Sequence, residues 1–361
     1  SFPCMGQRHP ILPPVTPRGL NPRSVRLCWV FGGTVRAPGQ FRDSVSRQPA
    51  STRGTAFRNV SLQDLKLMKI AGVQMDVVLQ DPDRNLARIE SGLRETARHG
   101  AELTVFPECA IPGYCFSSLA EAAPFAQPIP GPATTRLATV CRELGTYAIV
   151  GLLEQEGPEI YNAAVLVGPE GVVGSYRKVH LPWLGIDMFT TPGNRPFAVH
   201  SAGGLRVGMN ICYDAAFPEA SRALALAGAD LIALPTNWPP GAECTACSVI
   251  NARALENAVY FIAVNRVGTE RGFPFIGRSK ICDTNGNTLV ESLTTDEEVL
   301  YAEIDPARAR RKHIVRVAGQ HEIDRFADRR PEFYGPVGAP HSLVSPGRTA
   351  ERQPVHRGKS T

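Results

Sequence analysis

An α/β fold is what this 361-residue chain predicts, on three observations. From Met68 onward, short apolar strands alternate with amphipathic helical stretches, the pattern of β-α-β units. Gly100-Ala101-Glu102-Leu103 running to Pro107 is echoed by Gly228-Ala229-Asp230-Leu231 running to Pro235, and each copy follows a strand and a helix. A chain this long with 43% apolar residues can bury one large core or two modest ones. The echo implies two like sheets packed face to face, helices outside, with reactive groups converging at one end.

The elements follow in order. Residues 1–67 are rich in Pro, Arg, Ser and Gly and lack sustained periodicity. Three readings stay open there: a disordered extension, an Arg- and Ser-rich organelle-targeting segment, or translation that properly begins at Met68. Lys69 to Met75 reads as a strand, and Asp81-Pro82-Asp83 precedes a helix with Leu86, Ile89 and Leu93 on one face. Gly100 ends it, and the next strand runs from Leu103 into Glu108. Leu137, Cys141 and Leu144 mark a helix, and Tyr147 to Leu153 a strand. Asn162 to Val167 and Val172 to Lys178 flank Gly168-Pro169-Glu170-Gly171, a hairpin signal. Leu205, Val207, Met209 and Ile211 alternate with Arg206, Gly208 and Asn210, a strand leading into Cys212. Pro218 opens the helix that Gly228 closes, and Asp230 to Leu234 is the next strand. Ser248 to Glu256 reads as helix and Val259 to Val264 as a buried strand. Ile276 to Ile281 and Thr288 to Glu291 flank a turn at Asp283–Asn287, and Val299 to Ile304 is the last clear strand. Residues 339–361 read as a loose, polar tail.

Three of these strands end in reactive side chains. Glu108 supplies a carboxylate able to act as base, Lys178 a cation for an oxyanion, and Cys212 a nucleophile. Cys212 stands where a strand gives way to a helix-bearing turn, a place that favours a thiolate. Taken singly, each has a plainer reading: a core cysteine for Cys212, a structural ion pair for Glu108 with Lys178. Arg253 and Glu256, at helical spacing, read as a structural salt bridge.

The balance of charge excludes a nucleic-acid footprint. Residues 1–67 hold ten Lys and Arg against two acids, so the whole-chain charge of +5 leaves −3 for the remaining 294 residues. No apolar run is long enough for a membrane-spanning helix. The nine cysteines are odd in number and lack small-domain disulfide spacing, which points to a reducing, cytoplasmic setting. Cys244-Thr-Ala-Cys247 is a single CxxC without a second pair, a weak signal for zinc or redox chemistry.

Five stretches, in order, resemble the nitrilase superfamily of carbon–nitrogen hydrolases: FPECAIPGY (106–114), YRKVHLP (176–182), NICYDAAFPEASR (210–222), ARALENAVYFIAVNRVG (252–268) and RRPEFYG (329–335). The resemblance covers roughly Met68 to Val337, giving a domain over 68–338. It implies a four-layer α-β-β-α sandwich that associates across its outer helices as a homodimer or larger. It also implies no metal or organic cofactor. Cys212 is then the nucleophile, Glu108 the general base and acid, and Lys178 with the Tyr213 backbone N–H the oxyanion donors. Tyr114, Asn237 and Trp238 are candidate substrate-lining residues, each with core or loop packing as the alternative.

One departure stands out. Many family members carry a second carboxylate, usually Glu, between the lysine and a Pro-Gly pair. Pro192-Gly193 is present here, and Asp187 is the acid available in Trp183–Phe189, one methylene shorter. Cys-Tyr-Asp followed by Phe-Pro-Glu looks more like the amidase and carbamoyl-amide branches than the nitrile branch. The expected substrate is therefore a small linear amide or N-carbamoyl amine. The rivals are a nitrilase and a catalytically silent interaction protein on the same fold.

Overall fold

A computed structural model of the chain describes residues 67–347. The readings made for residues 1–66 and 348–361 lie outside the described residues, all of which belong to the unit Val60–Thr361.

Strand β1 (Met68–Gln74) leads through helix α1 (Pro82–Arg98) to β2 (Leu103–Val105). The Asp81 carboxylate accepts from the Arg84 N–H at 3.1 Å and Pro82 occupies the first turn, which is why α1 begins there. After α2 (Leu119–Ala122) and α3 (Pro132–Leu144) come β3 (Tyr147–Glu156), β4 (Glu159–Gly168) and β5 (Gly171–Arg177). The second half begins with β6 (Val199–Ala202) and β7 (Leu205–Met209), then α4 (Pro218–Leu226) and β8 (Leu231–Thr236). It continues with α5 (Ile250–Asn257), β9 (Tyr260–Asn265), and the short β10 (Thr269–Glu270) and β11 (Phe273–Pro274). Next are β12 (Lys280–Cys282), β13 (Thr288–Glu291), β14 (Glu298–Ile304), α6 (Pro306–Arg310), β15 (His313–Val317) and β16 (His321–Asp324).

Two six-stranded sheets result, ordered β14-β1-β2-β3-β4-β5 and β13-β12-β9-β8-β7-β6. The strands alternate between layers as a period of two requires. On β3 and β4, Ala148, Val150, Val165 and Val167 join α1 and α3 in one core, while Ile149 and Leu166 turn inward. That inner face meets Val207, Met209, Ala233 and Ile262 of the second sheet, whose cluster extends to Leu224 of α4 and Ala254 of α5. This is the α-β-β-α sandwich expected. Each fully buried Leu, Ile or Phe contributes roughly 1.5–3 kcal/mol, so the central layer dominates stability.

The echo is structural. β1 and β2 are parallel, as are β7 and β8, and the echoed acids hold the same place in each half. Glu102 N–H donates to Lys69 O and Asp230 N–H to Arg206 O, both at 2.8 Å. Three expectations are corrected. Val299 to Ile304 is not the last strand, because β15 and β16 pair as a hairpin beyond it. The expected helix at Ser248 begins as a π-helical turn, Thr245–Val249, before α5. The first half of the Ile276–Ile281 strand bends away, since Ile276 N–H donates to Trp238 O and Gly277 N–H to Arg266 O. Of the expected loose tail, residues 339–347 form no helix or strand, and Gly347 lies against the Trp183 indole.

Candidate active site

The carboxyl ends of β2, β5, β7 and β8 carry the site, where sheets with parallel centres offer their loops. Glu108 follows β2 in a turn pressed onto β3. A Cβ on Gly151 would stand 2.4 Å from the Cys109 nitrogen and 2.6 Å from Pro107 O, so only glycine admits that turn. Lys178 follows β5, whose end is locked by a bidentate, buried Arg177–Glu154 pair (Nε to Oε2 2.8 Å, Nη2 to Oε1 2.7 Å). Gly193 N–H donates to Lys178 O at 2.8 Å, and a Cβ there would meet Arg177 O at 2.3 Å. The Pro-Gly pair thus returns the chain against the lysine.

Glu108, Lys178 and Asp187 form one buried cluster. Lys178 Nζ donates to Glu108 Oε1 at 2.7 Å and to Asp187 Oδ2 at 2.5 Å. Asp187, on the 3₁₀ turn Gly185–Met188, therefore reaches the lysine despite its shorter side chain. Tyr114 is buried, and its hydroxyl donates to Asp187 Oδ2 at 2.8 Å and to Leu184 O at 3.1 Å. Its ring is core; its phenol belongs to the cluster. The backbone N–H of Tyr114 donates to Glu270 at 2.9 Å, and Glu270 pairs with Arg266 at 2.6 Å, anchoring this loop.

The sequence reading missed Asn162, on β4. Its amide nitrogen donates to Glu108 Oε1 at 2.7 Å and to Asp187 Oδ1 at 2.8 Å. A polar residue inside the apolar run Ile160–Val165 was the available signal, because a buried strand tolerates such a group only when it is satisfied. With Oε1 holding two donors, the other Glu108 oxygen, Oε2, is buried with no hydrogen-bond partner among the described residues.

Cys212 opens the 3₁₀ turn Cys212–Ala216 with φ +44°, a left-handed backbone that costs a non-glycine residue about 1–2 kcal/mol. The residue is 7% exposed. Burial and then the Glu108 carboxylate push its thiol up to about 12, against Lys178, the Thr236 hydroxyl and the Asn237 backbone N–H. Burial likewise raises Glu108 above its ordinary 4.5, with Lys178 opposing and Asp187 reinforcing. Desolvation pulls Lys178 down, but the Asp187 and Glu108 carboxylates outweigh it and hold the ammonium charged. Two acids lie against one cation, and the raised Cys212 group rests as a thiol.

The remaining candidates separate. Asn237 donates its side-chain N–H to Glu108 O at 3.0 Å, steadying the Glu108 backbone. Trp238 is buried in the central core and its backbone N–H donates to Asn265 Oδ1 at 2.7 Å, which favours loop packing. Tyr213 stands apart from the cluster: it is 43% exposed and its ring meets Phe217 edge-on at 5.2 Å. Asp214 was not singled out, yet it ties two loops together. Its carboxylate accepts from Ile211 N–H (2.9 Å), the Tyr176 hydroxyl (2.8 Å) and His180 N–H (3.1 Å), and pairs with His180 Nδ1 at 2.7 Å. Arg253 and Glu256 are the structural pair expected, at 3.0 Å. Cys244 and Cys247 are exposed and free, and among the described residues no group of three or more His, Cys, Asp or Glu could hold a metal. No helix among them is long and apolar enough to cross a membrane.

Known proteins share the sequence pattern and the sandwich. The carbon–nitrogen hydrolase family profile matches residues 69–313. A nitrilase of Pyrococcus abyssi is 42% identical over 74% of this chain and 99% of its own length. An (R)-stereoselective amidase of a Pseudomonas species is 34% identical over 68% of this chain and 88% of its own. The crystal structure of an amidase from a Nesterenkonia species superposes with a TM-score of 0.62 at 28% identity, covering 74% of this chain and 95% of that one. In one structure of a mutant of that amidase, the acetamide moiety of fluoroacetamide is added covalently at the active-site cysteine. On the profile match, these relatives and the shared sandwich, the chain belongs to the carbon–nitrogen hydrolase family of the nitrilase superfamily and is a hydrolase of C–N bonds.

Proposed function

We propose that the chain hydrolyses a small linear amide or N-carbamoyl amine to an acid and ammonia through a thioester on Cys212. The observation that carries this is the bare, buried Oε2 of Glu108 beside a cysteine in a left-handed turn, with Lys178 fixed alongside. Glu108 Oε2 takes the Cys212 proton as sulfur attacks the amide carbon, and the carbonyl becomes an oxyanion held by Lys178 and the Tyr213 backbone N–H. Glu108 then returns that proton to the leaving nitrogen, and ammonia departs as the C–N bond breaks. A water molecule enters, gives its proton to Glu108 and attacks the thioester; the acid leaves and sulfur recovers its proton. Asp187 keeps Lys178 charged in this scheme, filling the place of the family's longer acid. The scheme uses no metal or cofactor.

Nitrile hydrolysis is the second reading, favoured by the 42% identity to a protein named a nitrilase. We further propose a homo-oligomer formed across α4 and α5, where Leu226 and Leu255 are 44% and 41% exposed. The reducing, cytoplasmic setting read from the cysteines belongs to the same proposal.

Ammonia release from matched small amides, N-carbamoyl amines and nitriles, with wild type and Cys212→Ala side by side, tests the assignment. Release from amides or N-carbamoyl amines that disappears in Cys212→Ala is expected. Release from nitriles alone would replace the amide reading with the second, and release that persists in Cys212→Ala would remove the nucleophile.

A further inference from the structure

Asn162 does more than fill a polar hole in β4. Its amide nitrogen sits between two carboxylates, donating to Glu108 Oε1 (2.7 Å) and Asp187 Oδ1 (2.8 Å). Its amide oxygen is approached by the buried Cys109 thiol, with sulfur 3.6 Å from Oδ1. The amide orientation follows from these neighbours: turned over, its oxygen would face two carboxylates and its nitrogen would lose both acceptors. Cys109 has φ +47° in the turn beside Glu108, so that backbone strain goes with the thiol's placement under the amide. Burial first, then the Glu108 and Asp187 carboxylates, raises the Cys109 thiol well above its ordinary value, so it remains an S–H donor.

We propose that Asn162, oriented by Cys109, is a positioning residue that saturates Glu108 Oε1 and so confines proton exchange with Cys212 to Oε2. The inference rests on the proposed role of Glu108 as base for Cys212, but not on which substrate is hydrolysed. Lys178 alone leaves Oε1 with one donor; the Asn162 N–H supplies the second and links it to Asp187 Oδ1. The charged and titratable groups facing Glu108 are Lys178, Asp187, Cys212 and Cys109, with Tyr114 bonded to Asp187 and Glu270 behind the Tyr114 loop. Replacing Asn162 by leucine, an apolar residue of similar size, removes the donor to Glu108 together with its bond to Asp187 and the acceptor for Cys109, while the Lys178 bonds to both acids do not involve it.

The sign is fixed by chemistry. A hydrogen bond donated to Glu108 favours its charged form, so losing it raises the pH at which Glu108 can accept a proton. Alkylation of Cys212 by iodoacetamide, followed across pH by mass spectrometry of the Cys212 peptide, reads this directly and needs no knowledge of the natural substrate. In Asn162→Leu the rising limb is expected to move up by about 1 pH unit, the scale of one hydrogen bond to a charged group. Cys109→Ala should move it the same way by less, and Cys109→Ser, which keeps a donor, should restore the wild-type position. A merely structural Asn162 would lower the rate at every pH and leave the limb in place, which would overturn the proposal. Should Asn162→Leu fail to fold, the Cys109 pair decides: a shift in Cys109→Ala reversed in Cys109→Ser supports it, and an unmoved limb overturns it. A wild-type protein whose Cys212 alkylates with such a limb but which hydrolyses no amide or nitrile would sink the proposed activity and leave this inference standing.

Discussion

At the residue scale, the site holds a charge that folding alone would not choose. Lys178 balances one carboxylate, and Glu108 and Asp187 supply two. Because Glu108 is raised above 4.5 by burial, the folded protein keeps its proton to higher pH than the unfolded chain does. Stability therefore falls as pH rises from about 4.5 through the folded value. Glu108→Gln removes the surplus charge, its oxygen still accepting from Lys178 and Asn162 while Lys178 stays paired with Asp187. The variant is expected to be inactive but more stable above that window, by on the order of 1 kcal/mol per pH unit that Glu108 lies above 4.5. Thermal unfolding of both proteins at pH 4 and pH 8 checks this; a gap that does not widen with pH would contradict it.

At the element scale, the proposed chemistry needs two turns to keep step. Asp214, two residues after Cys212, reaches Tyr176 and His180, which flank Lys178 on either side. His180 also stacks face-on against Phe217, with ring centroids 3.7 Å apart, closing the turn from the other end. Asp214→Ala would leave the Ile211 and His180 N–H groups and the Tyr176 hydroxyl without their acceptor. A loss of roughly 3–5 kcal/mol follows, read as a lower urea midpoint, together with loss of turnover. Unchanged stability would show that water replaces the carboxylate. Such braces were the least legible part of the sequence. Glu108, Lys178 and Cys212 stand out because each ends an apolar strand, and the echo around Gly100 and Gly228 announces the paired β-α-β units. Asn162 and Asp214 do their work across 54 and 34 positions of chain, to Glu108 and to His180. Periodicity records which face a residue takes and says nothing of such partners. The hairpin β15–β16 escaped for a related reason: its strands are short and largely exposed, so the sustained apolar alternation of the buried strands is lacking.

At the scale of the whole molecule, the sandwich brings the carboxyl ends of strands from both sheets to one place, so Glu108 and Lys178 from one sheet lie near Cys212 from the other, as the proposed mechanism requires. The outer layer at α4 and α5 presents Leu226 and Leu255 outward, and the proposed assembly buries them. Sedimentation of the intact chain should find a dimer or larger species, and a Leu226→Arg, Leu255→Arg double variant should shift it toward monomer. A monomeric wild type would remove that face as an interface. The covalent thioester on Cys212 is tested by an acid quench during turnover of an amide, with mass spectrometry of the Cys212 peptide. An added mass equal to the acyl group is expected on Cys212 in wild type, and no such adduct in Cys212→Ala. Turnover with an unmodified Cys212 peptide, or an acyl group found on another cysteine, would contradict it.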